Sequence, residues 1–296
     1  GEQSKTLPVY QRMADEILSA RPDRHAAIVA LGGGVVGDIA GFAAATVLRG
    51  LPFIQMPTTL LAQVDSAVGG KVGINTAQGK NLLGAFYPPA AVFIDTEFLA
   101  TLPPREIRAG YAEIVKTALA YDADFFSWLE KNGQDVLGHK PSALSHAILN
   151  SCRIKSAIVS EDPFETTGLR AILNLGHTFG HALESLGGYD GRLLHGEAVA
   201  IGLGWAARFS RAHGNLSAAD GERVLRHLKD CGLMQRPPFD WSVDDMLASM
   251  RGDKKNAPDK LRLIVLDAPG RAHLEDSVDL KTLSAFLLSM KGQSHE

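Results

Sequence analysis

The sequence predicts two domains: an α/β domain with a parallel sheet over residues 1–104, and a mainly α-helical domain over residues 105–296. Two observations support this division. The first third alternates short apolar runs with helical patterns, as βαβ units do. After Pro103 and Pro104, apolar residues recur at the helical period of about 3.6, and a strand pattern returns only at 261–266. We therefore place the domain boundary close to residue 104.

The α/β domain is predicted from its apolar runs and from the residues that interrupt them. Residues 26–31 and 51–56 are short, nearly continuous apolar runs, which are typical of strands buried in a parallel sheet. The predicted elements are, in order, a helix at 7–20, a strand at 26–31, a helix that ends near Leu48, a strand at 51–56, a helix from Leu60 to about Val68, and strand-like pieces at 71–74 and 91–94 within a glycine-rich, turn-dense stretch.

The second domain is predicted from amphipathic periodicity, because apolar residues spaced three and four apart place one stripe of a helix against a core. The predicted helices cover about 105–120, 123–130, 142–160, 170–186, 196–213 and 218–230, and the one predicted strand covers 261–266.

The composition favours a globular protein, since 45% of the residues are hydrophobic and 21% are charged. The net charge of -3 gives no indication of a nucleic-acid or membrane partner. We find no secretory signal and no apolar run long enough to cross a bilayer. Cys152 and Cys231 are isolated, which suits a reducing compartment better than a disulfide framework. We expect a cytoplasmic location.

A glycine-rich loop follows the first predicted strand and opens a helix. Gly32, Gly34 and Gly37 have the GxGxxG spacing that lets a backbone approach a pyrophosphate at a helix N-terminus. This context favours nucleotide binding over a turn that serves packing alone. However, the strand at 51–56 ends without the acidic residue that an ordinary dinucleotide fingerprint places about 20 residues on. Asp38 also puts a negative charge near the expected phosphate position, so the loop differs from a standard dehydrogenase fingerprint.

Three histidines lie in a glycine-rich part of the second domain. His177 and His181 are four residues apart and therefore share one face of a helix, while His195 begins the next apolar-periodic stretch. Each has a glycine beside it, and a glycine inside a helix costs about 1 kcal/mol, which favours close approach to a ligand or to another backbone. The pair fits either a metal site or histidines satisfied in the core or at the surface.

Charged side chains offer further ligands. Glu113 and Lys116 are three residues apart on one helix face. They form either a surface ion pair worth under about 1 kcal/mol, or a site in which Glu113 joins two histidines around a catalytic divalent ion. Lys71 and Lys80 each follow a glycine and together favour an anion site. Further cationic and amide groups that suit a polyanionic small substrate are Lys155, Arg170, Asn174 and the run from Arg251 to Asn256.

Taken together, these motifs resemble those of the 3-dehydroquinate synthase family. The strings that carry the resemblance occur in order from residue 1 almost to the C-terminus: GEQSK, LGGGVVGD, PTTLLAQVDSAVGGKVGIN, GKNLLGAFYPP, FLATLPPRE, GYAEIVK, NLGHTFGHALE and LLHGEAVAIG. The resemblance implies a dehydroquinate synthase-like fold, in which an α/β nucleotide-binding domain precedes an α-helical metal-binding domain and the active site lies between them. It also implies bound NAD, a divalent metal ion such as zinc or cobalt, and a homodimer.

The resemblance further implies site residues. The implied metal ligands are Glu113, His177 and His195. The implied nucleotide contacts are Glu2, Gln3, Lys5, Gly34, Val35, Val36, Gly37, Asp38, Thr58, Thr59, Lys71, Lys80, Phe98, Leu99, Ala100 and Thr101. The implied substrate contacts are Asp65, Lys71, Asn81, Lys116, Lys155, Arg170, Asn174 and His181, with Lys254 or Lys255 from the loop after residue 250. Arg49 is implied to reach the substrate phosphate of a neighbouring subunit.

The implied reaction converts 3-deoxy-D-arabino-heptulosonate 7-phosphate to 3-dehydroquinate and phosphate, in the shikimate pathway of aromatic amino-acid biosynthesis. Lys71, Asn81, Asn174 and His181 would neutralise the departing phosphate. Lys155 and Arg170 would clamp the substrate carboxylate. On this assignment, His181 is a phosphate contact or proton carrier and not a metal ligand.

The chain departs from the family pattern at its start, because members normally carry a further N-terminal segment before the GEQ loop. We therefore expect an incomplete nucleotide domain in residues 1–104. Three alternatives remain open: a sugar-phosphate cyclase that acts on sedoheptulose 7-phosphate or glucose 6-phosphate, a metal-dependent polyol dehydrogenase, and an inactive fragment. Lys155 and Arg170 favour a carboxylated substrate over the other cyclase substrates.

Overall fold

The computed structural model describes residues 1–251 and 260–292. The first part of the chain contains α1 (Leu7–Ser19), β1 (Ile28–Gly32), α2 (Gly34–Thr46), β2 (Phe53–Pro57), β3 (Lys71–Thr76), β4 (Gly79–Phe86) and β5 (Ala91–Val92). Strands β1, β2 and β5 form a parallel sheet with β2 at its centre. The predicted parallel sheet is confirmed. Because β1 and β2 run side by side and end at Gly32 and Pro57, the loops that follow them share one edge of the sheet.

The segment after β2 differs from the predicted α-helix at 60–68. Residues Ala62–Ser66 form one wide turn of π-helix. The side-chain amide of Gln63 is buried in this turn, and its Nε2 donates hydrogen bonds to the carbonyl oxygens of Pro57 (3.1 Å) and Asp95 (2.9 Å). The turn therefore ties two loops together and also carries Asp65. Such π-turns occur frequently at functional sites.

Strands β3 and β4 form an antiparallel hairpin that the sequence only half predicts. The strand at 71–74 is predicted, whereas Gly79–Phe86 lies in the stretch read as turns. Gly73 and Gly84 face each other across the two strands, and a Cβ on Gly84 would overlap the carbonyl oxygen of Val72. The sequence pattern treats these two glycines as turn signals, but in the structure they allow two strands to pair closely.

The second part of the chain is mostly helical, as predicted. Its elements are α3 (Pro104–Tyr121), α4 (Ala123–Leu137), α5 (Pro141–Glu161), α6 (His177–Leu186), α7 (His195–Ala212), α8 (Ala218–Asp230), α9 (Val243–Arg251), β6 (Lys260–Ala268), β7 (Arg271–Asp279) and α10 (Leu280–Gly292). Among the described residues, no helix is both long enough and apolar enough to cross a membrane.

The prediction of one helix over 170–186 is wrong. A short 3-10 turn covers Arg170–Asn174, and α6 begins only at His177. Gly176 separates the two with a φ of 78°, a left-handed conformation that glycine adopts without steric cost. The break places His177 at the first helical position, where its ring stands at the end of the helix.

Near the C-terminus, the sequence pattern predicts only one of four elements. The structure has the hairpin of β6 and β7 and the helices α9 and α10. Only β6 is predicted, because its apolar run stands out. Strand β7 carries charged residues at 271, 275, 276 and 279, and its polar composition conceals an antiparallel partner of β6. The hairpin is joined to α7 by a hydrogen bond of 2.9 Å from the amide of Leu266 to Ser210 Oγ.

Two hydrophobic clusters form the interior. The smaller packs α2 and the sheet, with Ile39 and Phe53 among its buried residues. The larger fills the helical part, and it also takes in Leu60, Val64 and Leu99 from the first 104 residues. The segments after β2 and β5 thus pack against the helices, and a domain boundary at residue 104 stays a prediction.

The glycines beside the histidines bring helices together. A Cβ on Gly202 of α7 would overlap the carbonyl oxygen of Gly176, and a Cβ on Gly196 would overlap the carbonyl oxygen of Ala109 on α3. A Cβ on Gly180 would lie 3.0 Å from the carbonyl oxygen of Ala198, which is a tight contact without overlap. Of the two predicted reasons for these glycines, approach to another backbone is the one that the structure shows.

Candidate active site

The glycine loop lies at the carboxyl edge of the parallel sheet. The amide of Thr58 donates to the carbonyl oxygen of Gly32 (2.9 Å), so the ends of β1 and β2 are joined. A Cβ on Gly34 would lie 2.9 Å from Ser66 Oγ, and one on Gly37 would lie 2.6 Å from Gln55 Oε1. The loop is thus packed closely against β2 and the π-turn while the N-terminus of α2 opens beside Thr58 and Thr59. Val35 and Val36 follow in the first turn of α2, half-buried and exposed respectively.

Asp38 does not stand alone beside this loop. Lys5 is buried, and its Nζ donates to Asp38 Oδ2 and to Asn81 Oδ1, both at 2.6 Å. Burial raises the pKa of Asp38, although the Lys5 ammonium acts in the opposite direction. Glu2 is tied to the same hairpin, since Asn75 Nδ2 donates to Glu2 Oε1 at 2.8 Å. The negative charge that distinguishes this loop from a standard dehydrogenase fingerprint is therefore paired with a lysine.

Four potential metal ligands converge from three helices. His177 and His181 lie one turn apart on α6, His195 begins α7, and Glu113 comes from the middle of α3. One nitrogen from each of the three histidines lies within 4.8 Å of the others. Glu113 Oε1 lies 3.5 Å from His177 Nε2 and 3.3 Å from His195 Nε2. Sequence spacing left this convergence open.

The Glu113 carboxylate fits a bound cation. It is 1% exposed, and neither of its oxygens accepts a hydrogen bond of ordinary geometry from the described residues. Oε2 forms an ion pair with Lys116 Nζ (2.6 Å), which leaves Oε1 directed at the two histidines. A buried oxygen without a donor is costly, and a divalent cation between it and imidazole nitrogens would satisfy it.

The charge states in this cluster follow from burial and neighbouring charges. Burial lowers the pKa of His177 to about 3. Burial raises the pKa of Glu113, but the Lys116 ammonium together with His177 and His195 outweighs it, and the pKa falls to about 2. At neutral pH the imidazole is therefore neutral and the carboxylate is ionised, which are the forms that bind a metal ion. Burial lowers the pKa of His195, but the carboxylates of Glu184 and Glu113 outweigh it and raise the pKa to about 10.

Asp65 joins two buried lysines next to this cluster. Its Oδ1 lies 3.1 Å from Lys116 Nζ and 2.8 Å from Lys155 Nζ, and Lys155 also donates to the carbonyl oxygen of Asp65 (2.6 Å). Burial would raise the pKa of Asp65, but the two ammonium groups hold it well below its ordinary value. Burial lowers the pKa of Lys155. The π-turn, α3 and α5 thus meet in one ionic group.

Arg170 is held by a loop that Asp162 organises. The Asp162 carboxylate accepts hydrogen bonds from the backbone amides of Thr166, Thr167 and Arg170. The guanidinium of Arg170 donates to the carbonyl oxygens of Pro163 (2.6 Å) and Gly69 (2.9 Å). These bonds orient Arg170 and leave it further N–H groups for a ligand.

Glu165 is a site residue that sequence reasoning missed. It forms an ion pair with Lys71, and Asn174 Nδ2 donates to its Oε1 at 3.4 Å. Two predicted phosphate contacts, Lys71 and Asn174, are thereby brought to one carboxylate. Lys71 also lines a groove of about 280 Å³ with Asp38 and Asn81, which links a predicted nucleotide residue to two predicted substrate residues. No local pattern marks Glu165.

Glu184 is the second residue that sequence reasoning missed. It lies on α6, contacts the predicted metal ligand His195, and pairs with Lys80 of β4, a predicted nucleotide contact. Its spacing could have drawn notice, because His177, His181 and Glu184 recur at i, i+4 and i+7 on one helix face.

Several predicted residues lie outside these contacts. Gln3 and Arg49 are exposed, and Arg49 has a positive φ of 68°. The segment Phe98–Thr101 belongs to a 3-10 turn over Thr96–Thr101 in which Leu99 is fully buried in the larger cluster. Only the backbone or the other side chains of this turn can therefore face a nucleotide. Lys254 and Lys255 lie outside the described residues.

Comparison with known proteins gives two family matches that together cover most of the chain. Residues 1–109 match the family model described as 3-dehydroquinate synthase N-terminal, and residues 110–256 match the one described as 3-dehydroquinate synthase C-terminal. A 3-dehydroquinate synthase of Bradyrhizobium diazoefficiens is 50% identical over 295 residues, covering 97% of this chain and 77% of the relative. A 3-dehydroquinate synthase of Nitrosococcus oceani is 51% identical over 285 residues, covering 96% and 79%.

Solved structures with the same architecture include two cyclases. The 2-epi-5-epi-valiolone synthase of Streptomyces hygroscopicus, with NAD+ and Zn2+ bound, has a TM-score of 0.91 at 30% identity, covering 99% of this chain and 81% of that one. A 2-deoxy-scyllo-inosose synthase complexed with carbaglucose-6-phosphate, NAD+ and Co2+ has a TM-score of 0.87 at 32% identity, covering 96% and 80%. A glycerol dehydrogenase of Schizosaccharomyces pombe, at 18% identity and a TM-score of 0.67 over 98% of this chain and 74% of that one, shares the fold alone. The predicted fold class is confirmed.

Proposed function

Because the chain belongs to the 3-dehydroquinate synthase family, we propose a role in this reaction for the side chains that the structure brings together. The enzyme is a lyase of this type and uses NAD and a divalent metal ion. It converts 3-deoxy-D-arabino-heptulosonate 7-phosphate to 3-dehydroquinate and phosphate. The substrate is oxidised transiently, loses phosphate, is reduced again and closes by an intramolecular aldol step, so the reaction is redox-neutral overall.

One observation carries the proposal for the metal ligands. The buried Glu113 oxygen without a hydrogen-bond donor points at the Nε2 atoms of His177 and His195. Two imidazoles and one carboxylate leave positions open for a substrate, which is the pattern of a catalytic divalent site. We therefore assign Glu113, His177 and His195 as the residues that hold the metal ion. When bound, the metal ion and NAD supply acidification of a substrate hydroxyl and a reversible hydride acceptor.

The nucleotide is assigned to the edge of the parallel sheet. The contact proposed for Gly34 to Asp38 places the pyrophosphate at the N-terminus of α2, where the N–H groups that precede Gly37 point out of the helix, and Thr58 and Thr59 offer hydroxyls beside it. The segment from Glu2 to Lys5, Lys80 and the turn from Phe98 to Thr101 complete the proposed contacts. Lys5 has the supporting task of neutralising Asp38, which keeps that carboxylate from repelling a phosphate.

The substrate phosphate and carboxylate are assigned to two groups of polar side chains. Lys71, Asn81, Asn174 and His181 are proposed to stabilise the phosphate as it leaves. Both Lys71 and Asn174 contact the Glu165 carboxylate, which supports this assignment. A phosphate in the place of that carboxylate would accept the same bonds and carry more charge.

Lys155 and Arg170 are proposed to bind the carboxylate. Lys116 and Asp65 lie between this pair and the metal ligands, and they orient Glu113 and Lys155 by their ion pairs. Arg170 is already oriented by two carbonyl oxygens, so little conformational freedom is lost when it binds a ligand.

The direct test measures phosphate release from the heptulosonate phosphate, with and without NAD and with and without a chelator. We expect release only when both NAD and metal are present, with no net change of absorbance at 340 nm, because the hydride returns to the product. Glu113→Gln should abolish the release. Glu130→Gln, which removes a carboxylate from a surface ion pair with Arg223, is the matched control and should keep it. Release that needs neither NAD nor metal would refute the assignment.

A second candidate is another sugar-phosphate cyclase, because the two cyclase structures resemble this chain at 30% and 32% identity. Lys155 and Arg170 favour the carboxylated substrate. Faster turnover of sedoheptulose 7-phosphate or glucose 6-phosphate than of the heptulosonate phosphate would support this second cyclase activity. Accumulation of NADH would instead indicate a polyol dehydrogenase.

The remaining proposals concern assembly and location. We propose a homodimer in which Arg49, exposed after α2, reaches the substrate phosphate of the neighbouring subunit. A cytoplasmic location is supported by the two unpaired cysteines. The net charge of -3 gives no support for a nucleic-acid or membrane partner. Sedimentation of the purified protein tests the dimer.

A further inference from the structure

Glu184 is a buried carboxylate on the helix that carries two of the histidines. It lies on the same face of α6 as His177 and His181 and is 5% exposed. An ionised carboxylate is buried at a large cost unless it is paired and hydrogen-bonded. The partners of Glu184 therefore explain why it is tolerated there.

Each oxygen of Glu184 has one partner, and the two partners come from different parts of the chain. Oε2 lies 2.9 Å from His195 Nδ1 on α7. Oε1 accepts from Lys80 Nζ of β4 at 3.0 Å. Lys80 is held further by Glu2 at 3.8 Å and by the ring of Tyr189, whose centroid lies 4.9 Å from Nζ. One carboxylate thus connects the β3–β4 hairpin to the histidine cluster.

The contact with His195 determines which ring nitrogen faces the cluster. When Nδ1 donates its hydrogen to Glu184, Nε2 faces Glu113 Oε1 at 3.3 Å, and a bound cation would take the place of the proton that Nε2 carries in the metal-free protein. A ligating histidine commonly donates its other N–H to a carboxylate, which orients the ring and makes the ligating nitrogen more basic. His195 stands at the first position of α7 and is partly exposed, so helix packing alone restrains its ring less than that of His177.

We propose that Glu184 is a positioning residue for the metal site. It holds the His195 ring with Nε2 toward Glu113, and Lys80 holds Glu184 in place while neutralising its charge. The inference rests on the assignment of His195 as a metal ligand, which belongs to the proposed function. It adds that the β3–β4 hairpin, through Lys80, supports the geometry of a site made by helices of the second half of the chain.

The test is zinc binding by the full chain, measured by competition with a chromophoric chelator. Second-sphere partners of metal-binding histidines typically contribute 10–100-fold in affinity. We expect zinc to bind Glu184→Gln about 10-fold more weakly than wild type, because the amide oxygen still accepts from Nδ1 but without charge, and Glu184→Ala about 100-fold more weakly. The visible spectrum of the cobalt-loaded Glu184→Ala protein should also change, since His195 is no longer held in one orientation.

Glu197→Gln is the matched control. Glu197 is also buried, lies two residues after His195 on the same helix, and is paired with Arg105 through both oxygens at 2.6 Å. Glu197 Oε2 also accepts from the backbone amide of Leu194 (2.8 Å), which a glutamine oxygen can replace, and none of its contacts with the described residues involves the His195 ring. We expect Glu197→Gln to lower the thermal midpoint while keeping zinc affinity within about threefold of wild type and the cobalt spectrum unchanged.

The outcomes separate this inference from the proposed function. Wild-type zinc affinity in Glu184→Ala, or an equal loss in Glu197→Gln, would overturn the positioning role while leaving the lyase assignment intact. The graded loss in a protein that releases no phosphate would support the positioning role and overturn the reaction. If Glu184→Ala does not fold, Glu184→Gln becomes the test variant. A loss of zinc affinity smaller than twofold in Glu184→Gln would then overturn the inference.

Discussion

At the scale of single residues, the surroundings of Glu113 and His177 prepare both for a cation. The Lys116 ammonium keeps the Glu113 carboxylate ionised, and burial keeps the His177 imidazole neutral. His181 lies one turn along the same helix but is exposed, and its ring stands edge-on to that of His177 at 5.1 Å between centroids. Two histidines that look equivalent in sequence therefore have different surroundings.

This difference predicts different effects of two matched substitutions. His177→Ala should abolish zinc uptake, because it removes a nitrogen 3.5 Å from Glu113 Oε1. His181→Ala should keep zinc within about threefold of wild-type affinity and lose most turnover, because it removes a phosphate contact or proton carrier. Metal content after gel filtration and the rate of phosphate release measure the two effects.

The rival arrangement is a site made by three histidines, since the nitrogens of His177, His181 and His195 all lie within 4.8 Å of one another. Equal loss of zinc in His177→Ala and His181→Ala would favour that arrangement and contradict the proposed roles. His213→Ala, at the other end of α7, is the control for loss of a histidine and should bind zinc as wild type does.

At the scale of elements, the site depends on how closely α6, α7 and α3 approach. Gly202 contacts Gly176 just before α6 begins, and Gly196 contacts Ala109 of α3. These contacts lie within one or a few residues of His177 and His195. The helix crossings and the metal geometry are therefore determined by the same backbone positions.

Gly202→Ala and Gly204→Ala test this on one helix. A Cβ at position 202 would overlap the carbonyl oxygen of Gly176, so we expect unfolding free energy to fall by about 2 kcal/mol and zinc affinity to fall as His177 moves. A Cβ at position 204 would lie 3.3 Å from Nη1 at the far end of the flexible Arg208 side chain, with Gln235 Oε1 and Leu228 Cδ1 at the ordinary contact distances of 3.7 and 3.8 Å. Gly204→Ala should therefore gain about 0.5–1 kcal/mol from helix propensity.

Urea unfolding monitored by circular dichroism measures both free energies, and chelator competition measures zinc affinity. Equal stability of the two variants would contradict the idea that helix approach explains the glycines beside the histidines.

At the scale of the whole molecule, buried ion pairs connect the segment after β2 to the helical core. Asp65 on the π-turn meets Lys116 of α3 and Lys155 of α5, and Lys116 continues to Glu113. The larger hydrophobic cluster crosses the same junction, since Leu60 and Val64 pack among the helices. The junction is thus both apolar and ionic, and a charge cannot be removed from it without consequence.

Lys116→Met tests the contribution of this junction to stability. Lys116 is 2% exposed, and its loss would leave Glu113 buried without its cation and bring it into unscreened repulsion with Asp65. We expect unfolding free energy in chelator to fall by about 3 kcal/mol, the magnitude typical of breaking a buried pair.

Lys140→Met is the control for loss of a lysine, because its ion pair with Asp135 is exposed at both ends and should contribute less than about 1 kcal/mol. Urea-induced unfolding measures both variants. A loss in Lys116→Met no larger than that in Lys140→Met would show that the buried pairs do not stabilise the junction.

The sequence by itself determined the features that depend on neighbours along the chain. The apolar runs of β1 and β2 and the periodicity of α3 to α8 follow from local spacing, and the glycine loop was recognised because it stands between a strand and a helix. The local pattern did not predict β4 and β7, because each of these strands depends on its pairing with a neighbouring strand. It also did not predict the break at Gly176, where one glycine in the left-handed conformation interrupts the helix. The ordered motifs also carried the family resemblance.

Only the tertiary structure decided which charges meet. Lys80 and Glu184 are 104 positions apart, and Lys71 and Glu165 are 94 apart, so no spacing rule connects them. The contacts of Glu184 and Glu165 with these lysines are therefore not predictable from the sequence, and neither is the pairing of Asp38 with Lys5, which lies 33 positions before it. Electrostatic pairing acts through space and falls off with distance, whereas helical and strand patterns act along the chain. Packing alone therefore brings these carboxylates to their histidine and lysine partners.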